Sequence, residues 1–100
     1  MDGEALEIRY KNNKLKKICT IRYEAVKKHG EKMAEKIHQR IDEISSAESI
    51  EEMIRYKIGR CHELQGNRKD QFAVDLVHPF RLVFENVGNE IQLVNIIDYH

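Results

Sequence analysis

The apolar residues of this chain change their spacing once, and that change limits what it can fold into. Between Asn13 and Tyr56 they recur at steps of three and four, whereas from Phe72 onward they come in runs of Val, Ile, Leu and Phe broken by turn sequences. In NKLKKICTIRYEAVKKHG, Leu15, Ile18, Arg22 and Ala25/Val26 recur at helical steps of three and four, with Asn12 or Asn13 as the cap and Gly30 as the stop. Met33, Ile37, Ile41 and Ile44 then form one apolar stripe in EKMAEKIHQRIDEI, with Lys and Glu opposite, which predicts a second amphipathic helix. Ser49 and Glu52 have capping-box spacing and open a third, short helix in SIEEMIRY.

The late runs FAVDLV, RLVFEN and EIQLVNII are separated only by His78-Pro79 and by NVGN at 86–89. Such short gaps leave no room for crossovers, so these strands pair as antiparallel hairpins. LEIRY at 6–10 alternates as a short leading strand, and IGRCHELQGNRKDQ at 58–71 loses periodicity as a loop does. The expectation is an α+β fold: an antiparallel sheet with the N-terminal helices packed on one face. The 100 residues suit one modest core, so the whole chain, 1–100, is expected to form a single domain.

Seventeen Lys and Arg balance seventeen Asp and Glu, which argues against a simple polyanion-coating protein. The distribution is uneven. Residues 9–40 carry eleven basic and three acidic side chains, residues 41–54 carry five acids and no base, and residues 55–69 are again basic. This pattern fits a nucleic-acid face and equally fits solvated helix surfaces. Cys19 and Cys61 are too few for a disulfide framework, and no secretory or membrane-spanning apolar run is present, which points to the reducing cytoplasm.

Chemistry concentrates in two places. The segment CHELQGNRK carries His62 and, with Arg60 just before it, the candidate RNA-binding residues Arg60, Gln65, Arg68 and Lys69; Arg81 follows at the start of the next strand but one. The chain closes on Asp98, Tyr99 and His100, where the strand period directs Asp98 and His100 to one face and Tyr99 to the other. Cleaving RNA without a metal needs a base for the ribose 2′-OH, an acid for the leaving 5′-oxygen and fixed cations for the charge on phosphorus. Histidine serves either proton role. Each residue also has a plainer reading: Arg81 can pair with Asp75 or Glu85, His78 belongs to a turn, and His29 and His38 sit on charged helices as surface residues. A metal site from Cys61, His62, Asp98 and His100 lacks any CxxC or HxxxH spacing to preorganise it, so no metal and no cofactor are expected.

Residues 62–100 resemble the second half of RelE/ParE-superfamily toxins, specifically the HigB-like killer proteins of bacterial toxin–antitoxin modules. The resemblance rests on His62, Leu64-Gln65-Gly66-Asn67-Arg68, Phe80-Arg81, Gly88-Asn89 and the closing Asp98-Tyr99-His100. It implies a microbial-ribonuclease-like fold and a ribosome-dependent mRNA endonuclease silenced by a cognate antitoxin, with ribosome and mRNA as its other partners and no membrane. By the same likeness His62, Asp98, Tyr99 and His100 match the family's catalytic group, and Arg81 a phosphate-stabilising arginine. Two departures stand out. Gln65 occupies a position where lysine is common, and Val77 one where some relatives carry a second active-site arginine. Because the superfamily shares its fold between different outcomes, a ParE-like poison of DNA gyrase and a decayed, antitoxin-binding homologue remain the other two readings.

Overall fold

The computed structural model of the chain describes residues 6–66, 70–88 and 90–98. Along these run β1 (Glu7–Tyr10), α1 (Asn13–Thr20), α2 (Arg22–His29), α3 (Glu31–Ser46), α4 (Ile50–Arg55), a 3-10 turn (Ile58–Arg60), β2 (His62–Glu63), β3 (Gln71–Asp75), β4 (Phe80–Val87) and β5 (Glu90–Asp98). The strands form one five-stranded sheet in the order β1-β5-β4-β3-β2. The three late strands are antiparallel neighbours as expected, while β1 joins β5 in parallel register, Glu7 opposite Glu90 and Tyr10 opposite Leu93. The sheet is therefore mixed, and the helices and strands between β1 and β5 supply the long connection that a parallel pair needs.

The helical stripe and the strand alternation meet in one core. Met33, Ala34, Ile37 and Ile44 of α3 and Leu15, Ile18 and Cys19 of α1 pack with Val74, Leu82, Phe84, Ile91 and Leu93 of the sheet. Full burial of side chains such as Phe84, Ile37 or Leu93 contributes on the order of 1.5–3 kcal/mol each. The other sheet face carries a smaller apolar cluster, Leu64, Ala73 and Val83 with Val94 and Ile97, and lacks the helices.

Three further expectations change. Residues 13–30 form two helices rather than one, since Ile21 is extended (φ −119°, ψ 112°) and caps both α1 and α2. The β-branched pair Thr20–Ile21 favours this break, and the Thr20 hydroxyl donates to the Lys16 carbonyl at 2.7 Å, a back-bond that bends helices. The segment 58–71 is not wholly loop, because it contains the 3-10 turn and the two-residue strand β2. His29 and His38 are half-buried rather than surface residues: His29 meets Phe80 edge-on at 6.3 Å, and His38 Nε2 lies 3.3 Å from the Ile18 carbonyl oxygen.

The caps hold. Asn12 accepts from the Leu15 N–H at 2.8 Å, and Ser49 Oγ from the Glu52 N–H at 3.0 Å. Glu52 reaches back to the Glu48 N–H, one residue beyond the usual capping-box donor.

Candidate active site

The approach to His62 is a tight left-handed passage. Lys57, Gly59 and Arg60 have φ of 56°, 58° and 55° within four positions, and two of them pay for it with a Cβ. Hydrogen bonds from Arg60 N–H to Lys57 O (3.1 Å) and from Cys61 N–H to Ile58 O (2.9 Å) fix the passage, and the buried Cys61 anchors its end. Gly59 is required for space as well as for φ: a Cβ there would sit 2.9 Å from Arg40 Nε and 3.1 Å from Val74 Cβ. The passage delivers the Arg60 carbonyl to His62, whose Nδ1 lies 2.9 Å from that oxygen. A carbonyl can only accept, so the bond requires a proton on Nδ1 and, in the neutral ring, leaves Nε2 as the basic nitrogen.

Strand register places the remaining groups. His62 stands opposite Ala73, which stands opposite Val83, and two residues along the same face Asp75 stands opposite Arg81. Arg60, two residues before His62, reaches Asp75 from the other side, so Arg60, Asp75 and Arg81 form a row beside the row His62, Ala73, Val83. From strand spacing and rise, the Cα atoms of His62 and Arg81 are about 12 Å apart, a gap that an arginine and an imidazole can close on one phosphate group.

The Asp75 carboxylate holds the arginine row together. Arg81 Nε lies 3.2 Å from its Oδ1 and Arg60 Nε 3.3 Å from its Oδ2. Oδ1 is buried and accepts no directed hydrogen bond from any described residue, so the Arg81 contact there is an ion pair rather than a well-aligned bond. On the helix side, Arg40 Nε donates to the Asp75 backbone carbonyl at 2.7 Å, and its Nη1 pairs with Glu43 at 2.8 Å. A cleft of roughly 150 Å³ opens here, with Arg60, Asp75, His78, Pro79, Phe80 and Arg81 among its walls.

Of the residues singled out from sequence, His62, Arg60 and Arg81 are brought to this face, and Gln65 is exposed just beyond β2. Asp98 ends β5 opposite Phe80, whereas Arg81 stands opposite Ile97, so Asp98 takes the alternate pleat direction from Arg81. A β-bulge causes this phase: register shifts between Val83 and Phe84, so that Ile91, Leu93 and Ile96 face the helices while Val94 and Ile97 face away. Arg68, Lys69, Tyr99 and His100 lie outside the described residues. Val77 packs against the helix-side core and takes no part in the arginine row.

Sequence reasoning missed Arg40, although position 40 lies three after Ile37 and four before Ile44, so a cation interrupts the apolar stripe there. Among the described residues no three His, Cys, Asp or Glu side chains converge as metal ligands. Burial pushes the Cys61 thiol up to about 12, and Cys19 likewise to about 12, which keeps both protonated. Burial, and then the Lys28 charge, lowers His29. Among the described residues no helix is long and apolar enough to cross a membrane.

No family model matches the sequence, and no curated protein does. Solved structures do match the fold. A chain of the YoeB–YefM complex from Staphylococcus aureus superposes with a TM-score of 0.64 at 22% identity, covering 95% of this chain and 97% of that one. The chain has the fold of the YoeB toxins. A YoeB dimer from Staphylococcus aureus gives a TM-score of 0.55 at 20% identity over 96% of this chain and 98% of that one. The YoeB/ParE toxin from Agrobacterium tumefaciens gives 0.56 at 13% identity over 95% and 100%. At such identities the likeness establishes the YoeB fold and leaves chemistry to the site itself.

Proposed function

We propose that the chain is the toxin of a type II toxin–antitoxin module and acts as a ribosome-dependent mRNA endonuclease. The observation that carries this reading is the His62 imidazole, held by the Arg60 carbonyl with Nε2 as its basic nitrogen, on the same sheet face as the half-buried Arg81. In this mechanism His62 Nε2 takes the proton of a ribose 2′-OH, the 2′-oxygen attacks the adjacent phosphorus, and the P–O5′ bond breaks to leave a 2′,3′-cyclic phosphate. Arg81 holds the charge that grows on the phosphoryl oxygens. His100 protonates the departing 5′-oxygen and Tyr99 contacts substrate, two roles that follow the HigB-like sequence resemblance; Asp98, which the same resemblance puts in the catalytic group, takes the pleat direction opposite to Arg81 and is given no substrate contact. Arg60, Gln65, Arg68 and Lys69 hold the RNA backbone, and the reaction uses no metal.

A cognate antitoxin is the expected protein partner, in line with the YefM complex formed by YoeB. The exposed Lys11, Lys14, Lys16 and Lys17 around α1 offer charge to ribosomal RNA or to an acidic antitoxin segment. A ParE-like action on gyrase is the second reading, favoured by the YoeB/ParE name of one structural neighbour. Primer extension on cellular mRNA after brief induction separates the two: breaks within translated codons support cleavage, whereas intact message with DNA damage overturns it in favour of the gyrase reading.

A further inference from the structure

Two arginines address the Asp75 carboxylate with unequal grip. Arg81 is its direct cross-strand neighbour, and the two side chains are only 29% and 24% exposed, whereas Arg60 is 80% exposed. The strand end that carries the carboxylate is itself held from behind, by Arg40 on the Asp75 carbonyl and by Glu43 on Arg40. Burial reduces screening of the Arg81 pair, while water and salt screen the Arg60 pair and make it easy to open. Asp75 Oδ1, buried without a directed hydrogen bond from any described residue, is compensated there by charge. A guanidinium binds carboxylate and phosphate by the same planar fork, so an incoming phosphate competes directly with Asp75.

We infer that Asp75 is a positioning residue: it holds the Arg81 guanidinium for a phosphate bound on the open sheet face, while Arg60 exchanges Asp75 for that phosphate. This rests on the reading above, in which Arg81 faces the scissile phosphate. The inference gives Asp75 two effects of opposite sign. Its negative charge weakens anion binding, yet the orientation it gives Arg81 speeds the chemical step. A residue that only stabilised the fold would not tighten binding when neutralised.

The test is Asp75→Asn, which preserves shape and removes charge. Inorganic phosphate titrated by NMR into the whole chain should bind several-fold more tightly. On ribosomes programmed with a defined message, kcat should fall about 10- to 100-fold, the scale for a misplaced group, with KM unchanged or lower. Wild-type kcat, weaker phosphate binding or a raised KM would each overturn the inference. Arg81→Ala, run in parallel, separates the two levels: if it slows cleavage while Asp75→Asn cuts at the wild-type rate, only the role of Asp75 falls. If Arg81→Ala cuts normally, the phosphate role of Arg81 and this inference fall together. Should Asp75→Asn not fold, Asp75→Glu keeps the charge but displaces the contact; it should lower kcat at unchanged KM, and wild-type kcat there would count against the proposal.

Discussion

His62 donates its Nδ1 proton to the carbonyl oxygen of Arg60, 2.9 Å away, so a backbone group two residues upstream sets which imidazole nitrogen is basic. The carbonyl is available because Arg60 accepts a left-handed conformation unusual for a residue with a side chain. Local backbone strain thereby becomes chemical orientation at the edge strand.

His62→Ala should lower the single-turnover cleavage rate by roughly 10²–10⁴-fold, the usual contribution of one general base. Stability should drop by about 1 kcal/mol or less, since one partly exposed hydrogen bond is lost. The pairing of a full rate loss with a near-normal urea midpoint checks both; wild-type cleavage would return His62 to a structural role.

Arg81→Ala is expected to slow cleavage by about 10²–10³-fold, as for removal of one preorganised donor to a developing oxyanion. Arg81→Lys should recover little of this, because an ammonium cannot reproduce the planar fork or the Nε contact to Asp75. Rapid-quench measurements on both variants decide the point, and full recovery by lysine would reduce Arg81 to a simple charge.

Gly59→Ala should destabilise the fold by about 2 kcal/mol, combining a left-handed alanine with a close approach to Arg40 and Val74. The displaced Arg40 would release the Asp75 carbonyl, so cleavage should fall as well. Chemical denaturation of the variant measures the first effect.

Acid stability should depend on His29. Burial, then Lys28, lowers its pKa in the folded chain below the ordinary 6.5, so the unfolded chain binds the proton first. The resulting stability is full above pH 6.5 and is lost as pH falls through the lower folded value. His29→Phe, which keeps a ring against Phe80, should flatten this acid limb in urea titrations above and below pH 6.5.

Cys19 and Cys61 should alkylate slowly in the folded protein, since burial pushes both thiols up to about 12. Above pH 9.0 the unfolded chain loses these protons while the folded chain keeps them, so stability should fall between pH 9.0 and about 12. Replacing both by alanine should reduce that slope.

The α3 stripe, the caps at Asn12 and Ser49, the stop at Gly30 and the three late strands were legible because each depends on residues within a turn or a hairpin of one another. His62, Arg60 and Arg81 could also be singled out, since imidazole and guanidinium groups beside a strand announce themselves by type. Their arrangement was less visible. The pair Asp75–Arg81 flanks a short turn and was open to inference from sequence, but the grip of Arg60 on the same carboxylate depends on the left-handed passage at 57–60, which no periodicity records.

What the sequence by itself determined is the class of fold and the chemical inventory, because helix period, strand alternation and turn residues are local properties of the chain. Tertiary structure alone decided the pairing of β1 with β5, the break at Ile21, the reach of Arg40 to the Asp75 carbonyl and the phase of β5. The last is the most instructive. A bulge near Val94 shifts the alternation by one residue and sends Asp98 to the pleat direction of Phe80 rather than that of Arg81, because register is set by the neighbouring strand and not by the strand that carries the residue.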